Sequence, residues 1–422
     1  MRIPSQTALV LCTLVALSAC SGTRGTSSVP DPGRVSPQSG NQGRAAQSIG
    51  GPACNVPADY PTIQAAVTVP ACTTVNVAAG SYTENVTIAH ALTLRGAQAG
   101  RDARTRHGAE SIINGGAGPN ITIASNGVTV DGFTLNGPVS QGTAAIVMMG
   151  ANSGETIRDV IVNNPGRAAS FNTSNTTFQQ NLVNNTPTAG DGFQANTSPV
   201  QNVTLADNAF HGATAANYNA DITIIEGNAN IVVTRNFSER DGTLIALFKT
   251  NGATVSENAV IGDPSSSAIY IGGGDSNISV TTNAVGGAGS AVNVANDFGV
   301  GPNSTVTITQ NVLRNNVNGV KVGSTAVTTA NTVAAHRNGL TGNSGFGVDN
   351  LSPVNVEATC NWWGSKSGPG PVGPGTGDKV TANVTYSPWL KSASLDSHCG
   401  GHGDGDGHGD GDGHGDGHGD DD

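Results

Sequence analysis

In a chain with only 12% charged residues, one stretch collects acids and bases: Asp207, His211, Asp221, Glu226, Arg235, Glu239, Arg240, Asp241 and Lys249. These are the residue types of acid–base and ligand-binding chemistry. Arg235, Arg240 or Lys249 can bind a carboxylate-bearing ligand or act as base, with Glu226 and Asp241 as ligands for Ca²⁺. Solvated turn residues that merely cluster make the plainer alternative. A second concentration closes the chain, where His402, His408, His414 and His418 alternate with Gly and Asp. Imidazoles among carboxylates can bind Zn²⁺, Ni²⁺ or Cu²⁺ loosely, each site reinforcing the others. The same run of eight Asp also suits a solubilising tail, and it carries most of the net charge of −11. The remaining body is nearly neutral and has no basic patch, which excludes nucleic acid as a partner.

The cysteines place the protein outside the cytosol. Leu17-Ser18-Ala19-Cys20 matches the bacterial lipobox, in which Cys20 is lipidated and becomes the mature N-terminus. Before it, Arg2 and the apolar run from Ala8 to Leu17 read as a signal peptide, too short to span a bilayer comfortably. The expectation is a lipid-anchored protein of the cell envelope, at the outer membrane if the organism is Gram-negative. Of the others, Cys12 leaves with the signal, and Cys54, Cys72, Cys360 and Cys399 remain. Three pairings are possible, and closeness in sequence favours Cys54–Cys72 and Cys360–Cys399. Without a Cys-x-x-Cys spacing, metal binding by these thiols is disfavoured.

The element that must position all of this is a recurring phrase: VTVDGFTL from Val128, TFQQNLV, VTLADNAF, VVTRNFS, ATVSENAV, ISVTTNAV, VTITQNVL, VTTANTV and finally VNVEATCNWW. It returns roughly every 20 to 28 residues, the signature of a solenoid. Apolar residues alternate within each phrase, so the units are strands, and Gly, Asn, Ser, Thr and Asp between them mark turns. The expected fold is all-β: a single-stranded right-handed parallel β-helix of about ten or eleven rungs. Val128, Val130, Phe133, Leu135, Val306 and Ile308 would face the axis. Asn181, Asn208, Asn236, Asn258, Asn283 and Asn311 recur at one place in the phrase. There Asn suits the left-handed turn conformation, and stacked amides can bond along the axis. The domains read as a signal peptide and lipobox (1–20), a flexible tether (21–51), the β-helix with its caps (52–395) and a low-complexity tail (396–422).

Both ends carry closing segments. In YPTIQAAV from Tyr60, Ile63, Ala66 and Val67 fall at helical spacing, enough for a short N-terminal capping helix. That opening, followed by AAGSYTENVTI and LTLRGA, resembles the start of pectin-lyase-like right-handed β-helix proteins. CNWWGSKSGPGP and YSPWL resemble the closing segment of bacterial surface proteins in that superfamily. Trp362, Trp363 and Trp389 all lie there, either sealing the last rung or offering faces on which sugar rings can stack.

The resemblance implies a polysaccharide partner, but it brings no catalytic residues with it. The local signatures of pectin-methylesterase-like, polygalacturonase-like and pectate-lyase-like sites are missing. Asp263-Pro264-Ser265 approaches the epimerase-like Asp-Pro-His without its His. The expected function is therefore binding of cell-envelope or environmental polysaccharide without turnover, by a monomer. The alternative is an enzyme, a lyase or hydrolase on acidic glycans, working in a groove near 207–249.

Overall fold

The computed structural model describes residues 53–138, 142–184, 191–195, 198–212, 220–239, 242–323 and 332–399. Cys20, Arg240, Asp241 and the four tail histidines lie outside the described residues. Within them the chain is the expected parallel β-helix, wound on three sheets of 14, 11 and 13 strands. We call these sheets A, B and C in the order the chain visits them. One turn shows the plan: Asn251–Ser256 in sheet A, Ala259–Ile261 in sheet B, Ser267–Ile271 in sheet C, then Ser276–Thr281 back in sheet A. Each strand pairs in parallel with its counterpart one turn away. A strand, crossover and parallel strand in one sheet is right-handed almost without exception. The expected rung count matches sheet B; strands at the ends lengthen A and C.

Apolar residues spaced by two put one face of every strand on the axis. Val128, Val130, Phe133, Leu135, Val306 and Ile308 are all buried, as their phrases require. Midway along the axis the filling turns aromatic, with Phe171, Phe178, Phe193 and Phe210 in contact at centroid distances of 5.0, 4.5 and 5.4 Å. Offset and edge-on pairs like these add to the value of their burial.

The Asn column is continuous, and it runs two steps further than expected, through Asn338 to Asn361. In each step the backbone N–H and the side-chain Nδ2 of one Asn donate to Oδ1 of the next. For Asn208 on Asn236 the distances are 3.0 and 2.9 Å, and for Asn311 on Asn338 3.0 and 2.9 Å. Each Nδ2 also reaches a strand carbonyl, as Asn258 does to Val233 O at 3.0 Å. The turn works differently from expectation. The residue in the left-handed region is the one before each Asn: Gln180, Asp207, Arg235, Glu257, Thr282, Gln310, Arg337 and Cys360, with φ between 53° and 59°. Burial explains the division. The Asn side chain must turn inward to bond its neighbours, so the sharp bend falls on the preceding residue.

The caps form as read. Helix Ile63–Val67 buries Ile63, Ala66 and Val67, and Thr62 caps it by accepting from Ala65 N at 3.1 Å. Glu84 takes the next orphan donors, Ile63 N at 3.0 Å and Gln64 N at 2.8 Å, where a carboxylate suits a helix start. Cys54–Cys72 and Cys360–Cys399 are both bonded, one at each end. Trp363 is fully buried and plugs the final turn, so it cannot offer a sugar a stacking face. Trp389 lies against the backbone of Gly368, with Nε1 donating to Lys366 O at 3.2 Å and the Lys391 ammonium 4.1 Å from the ring. Trp362 is half-buried and its backbone joins the ladder through Leu340 and Asn338. The buried Trp363 and the core-packed Trp389 fit the cap reading.

Candidate functional site

Winding the chain on three sheets separates residues that are close in sequence. The charged stretch from Asp207 to Lys249 does not line one face. Arg235 sits at the corner between sheets A and B, its guanidinium forked onto Asp207 at 3.0 and 2.9 Å with Glu257 at 3.9 Å. His211 and Glu239 meet at 3.4 Å on sheet B. Asp221 is buried, its Oδ2 accepting from Ser238 Oγ at 2.6 Å. Of the described residues in the stretch, only Glu226 and Lys249 stand at the corner between sheets C and A, one turn apart, with Nζ 3.0 Å from Oε2. Arg235 therefore shares no groove with Lys249, because it follows a sheet A strand and Lys249 a sheet C strand.

Glu226 and Lys249 border a groove of about 1120 Å³ along the outer face of sheet C. Its floor is a register row, Gln194, Thr223, Ala246, Tyr270 and Asn293, each opposite the next. Adjacent strands are ~4.8 Å apart, so the row runs parallel to the helix axis. One wall is aromatic: Phe248 lies 5.8 Å from Tyr270 and 5.6 Å from Phe298, centroid to centroid, and Phe298 is 60% exposed. The Tyr270 hydroxyl donates to Asp297 Oδ2 at 3.0 Å. Asn293, on the floor, donates from Nδ2 to Ser267 Oγ at 3.1 Å.

Two features of the chain build this wall. Between Val294 and Ser304 the connection from sheet C to sheet A is long. It folds back so that Gly274 N donates to Gly301 O and Gly301 N to Asn296 Oδ1, both at 2.9 Å. The run Gly272-Gly273-Gly274 makes room for it. A Cβ on Gly272 would lie 2.1 Å from the Phe248 ring, and Gly273, at φ 131°, closely faces Asn296 and Gly301.

Beneath the same loops Asp275 is buried, accepting from Thr250 N at 2.9 Å and Gly273 N at 3.2 Å. Its own N–H donates to Asn303, and Asn228 serves Val200 in the same way at another turn of that corner. Burial pushes the Asp275 carboxyl from an ordinary 3.8 up to about 6, against the two backbone donors that favour its ionised form. A carboxyl raised by folding stabilises the fold most below its ordinary value, and that contribution is lost as pH rises through about 6. Asp275→Asn is expected to remove a slope on the order of 3 kcal/mol between those limits. Denaturant midpoints of wild type and variant across pH test this, and parallel curves would refute it.

Paired carboxylates do occur, where no sequence motif marks them. Asp131 and Asp159 adjoin, and Asp159 is pushed up to about 6 by burial and by its neighbour's charge. Both are buried; Asp131 also takes Gly100 N at 2.8 Å and the Arg158 guanidinium at 2.7 Å. Arg106, inserted beside them, donates to Phe133 O and Asp159 O. The Asp131 carboxylate and the Arg106 guanidinium thus fasten the 97–110 segment onto the column. As for Ca²⁺, Glu226 is engaged by Lys249, and among the described residues no three His, Cys, Asp or Glu gather to hold a metal ion.

No protein-family model matches the chain, and no curated protein sequence matches it. Among solved structures it is similar to the A-module of a mannuronan C-5 epimerase from Azotobacter vinelandii. The TM-score is 0.48 at 15% identity, over 75% of this chain and 91% of that one. It is similar also to the DFA-IIIase of Arthrobacter chlorophenolicus A6 without its lid, with TM-score 0.48 at 13% identity over 76% and 92%. A mannuronic-acid-specific polysaccharide family 6 lyase from human gut microbiota gives 0.45 at 13%, over 68% and 80%.

Proposed function

We propose that the protein binds a linear polysaccharide along the sheet C groove and acts on it there. The observation that carries this is the combination on one floor of an aromatic wall with two donor–acceptor pairs, Lys249–Glu226 and Tyr270–Asp297. An open groove parallel to the axis suits an extended chain, and exposed aromatic rings suit the apolar faces of pyranoses. The two pairs favour turnover over passive holding, because each sets a proton donor against a carboxylate within reach of a bound ring. Lys249 can deliver a proton or steady a developing negative charge, and Glu226 can receive one.

The test is a panel of oligosaccharides read for both binding and product, by reducing ends and by unsaturated-product absorbance. Lys249→Ala and Glu226→Gln are expected to lower turnover by about 10² to 10⁴. Tight binding with no product from any member leaves only passive binding. Loss of neither binding nor turnover in the variants moves the site elsewhere. The lipobox at Cys20 supports attachment of the column to a membrane at the cell envelope. An intact mass showing unmodified Cys20 in the mature protein would remove that part.

A further inference from the structure

The charges of the groove differ from those of a site for acidic glycans. Among the described lining residues the formal charges are Lys249, Glu226 and Asp297, one cation against two carboxylates. The cation is already engaged, its Nζ 3.0 Å from Glu226. Lys321, next along the register row after Asn293, stands opposite Asp349, whose carboxyl is pushed up by burial and drawn partly back by the Lys321 ammonium.

At the aromatic end the Tyr270 hydroxyl proton is directed to Asp297, and one N–H of the Asn293 amide to Ser267. What a ligand meets there is the Asp297 carboxylate, the phenol oxygen and the exposed Phe298 ring. Those groups accept hydrogen bonds from hydroxyls and stack on an apolar ring face. They repel a second carboxylate, and like charges brought together at a binding surface cost several kcal/mol.

Resting on the groove reading above, we propose that the substrate is an uncharged polysaccharide. One of its pyranose rings stacks at Phe298 and gives hydroxyl hydrogen bonds to Asp297. A uronate at that position is rejected by Asp297.

Calorimetry on the full chain with neutral oligohexoses and with oligouronates of equal length tests this. Neutral chains are expected to bind at least about tenfold more tightly, a difference of 1.4 kcal/mol. Their affinity is expected to change less than about twofold between low and physiological salt. Phe298→Ala, at an exposed position, should weaken the neutral ligand by about threefold to tenfold. Asp297→Asn should narrow the neutral-to-acidic ratio. Tighter binding of oligouronates that still depends on Phe298 overturns the substrate class and leaves the groove reading standing. Absence of binding by either class overturns both.

Discussion

Asn258→Ala is expected to lower the unfolding free energy by about 3–5 kcal/mol, far more than a typical surface substitution. The Asn258 Oδ1 is the acceptor for both N and Nδ2 of Asn236, at 2.9 and 3.0 Å. Its Nδ2 supplies Asn283 Oδ1 at 2.9 Å and Val233 O at 3.0 Å. Truncation strands a buried backbone donor and starves two acceptors, and each such group costs about 1–3 kcal/mol when left unmade. The neighbouring Glu257→Ala is the control, because that side chain is exposed and should change stability by less than about 0.5 kcal/mol. A solenoid can open locally rather than all at once, so hydrogen exchange should accompany the denaturant curves. Equal stability of the two variants would show that the column is ornamental.

A large effect on glycan binding is expected from a residue that touches no ligand. In Gly272→Ala the new methyl would fall 2.1 Å from Cε1 and 2.5 Å from Cδ1 of Phe248, so the ring must leave its place. Phe248 links Tyr270 to Phe298 in the wall, and displacing it disorganises both. Glycan affinity should fall by about tenfold or more, the scale of a lost aromatic contact plus a mispositioned polar one. Stability should fall by only about 1–2 kcal/mol, since the overpacked site lies beside solvent and can relax outward. Unchanged affinity would mean that the wall does not meet the ligand.

Much of the frame was readable from residues alone. Alternating apolar positions in phrases such as VTITQNVL fixed which side chains face the axis, and the spacing of the phrases fixed the coil. Ile63, Ala66 and Val67 announced the capping helix, and the Cys positions announced their partners. The Asn column was readable as a column but not as a turn. Inward bonding and outward bending look alike in sequence, and the positive φ belongs to the neighbour.

The groove was less readable, for a physical reason. Which corner a charge occupies depends on loop length within each turn, and the turns differ. Arg235 and Lys249 are fourteen positions apart by number, yet they lie at different corners. Tyr270 and Asn293 carry no motif. Their signal is positional: each is the fourth residue of a five-residue sheet C strand, opposite Ala246 and Lys321 in the row. Aligning the third strand of every turn, rather than the Asn phrase of the first, would have placed them side by side.

The bend residues before each Asn have a further use. Their backbones are held by the column while their side chains point away from it, and this chain fills the row with Gln, Asp, Arg, Glu, Thr, Gln, Arg and Cys without altering φ by more than a few degrees. Strand spacing sets their pitch at ~4.8 Å. The molecule therefore carries an addressable edge, a ruler whose exposed pegs Glu257, Thr282 and Gln310 can be exchanged. Dyes, crosslinkers or charges could be installed there at chosen intervals while the interior stays as it is.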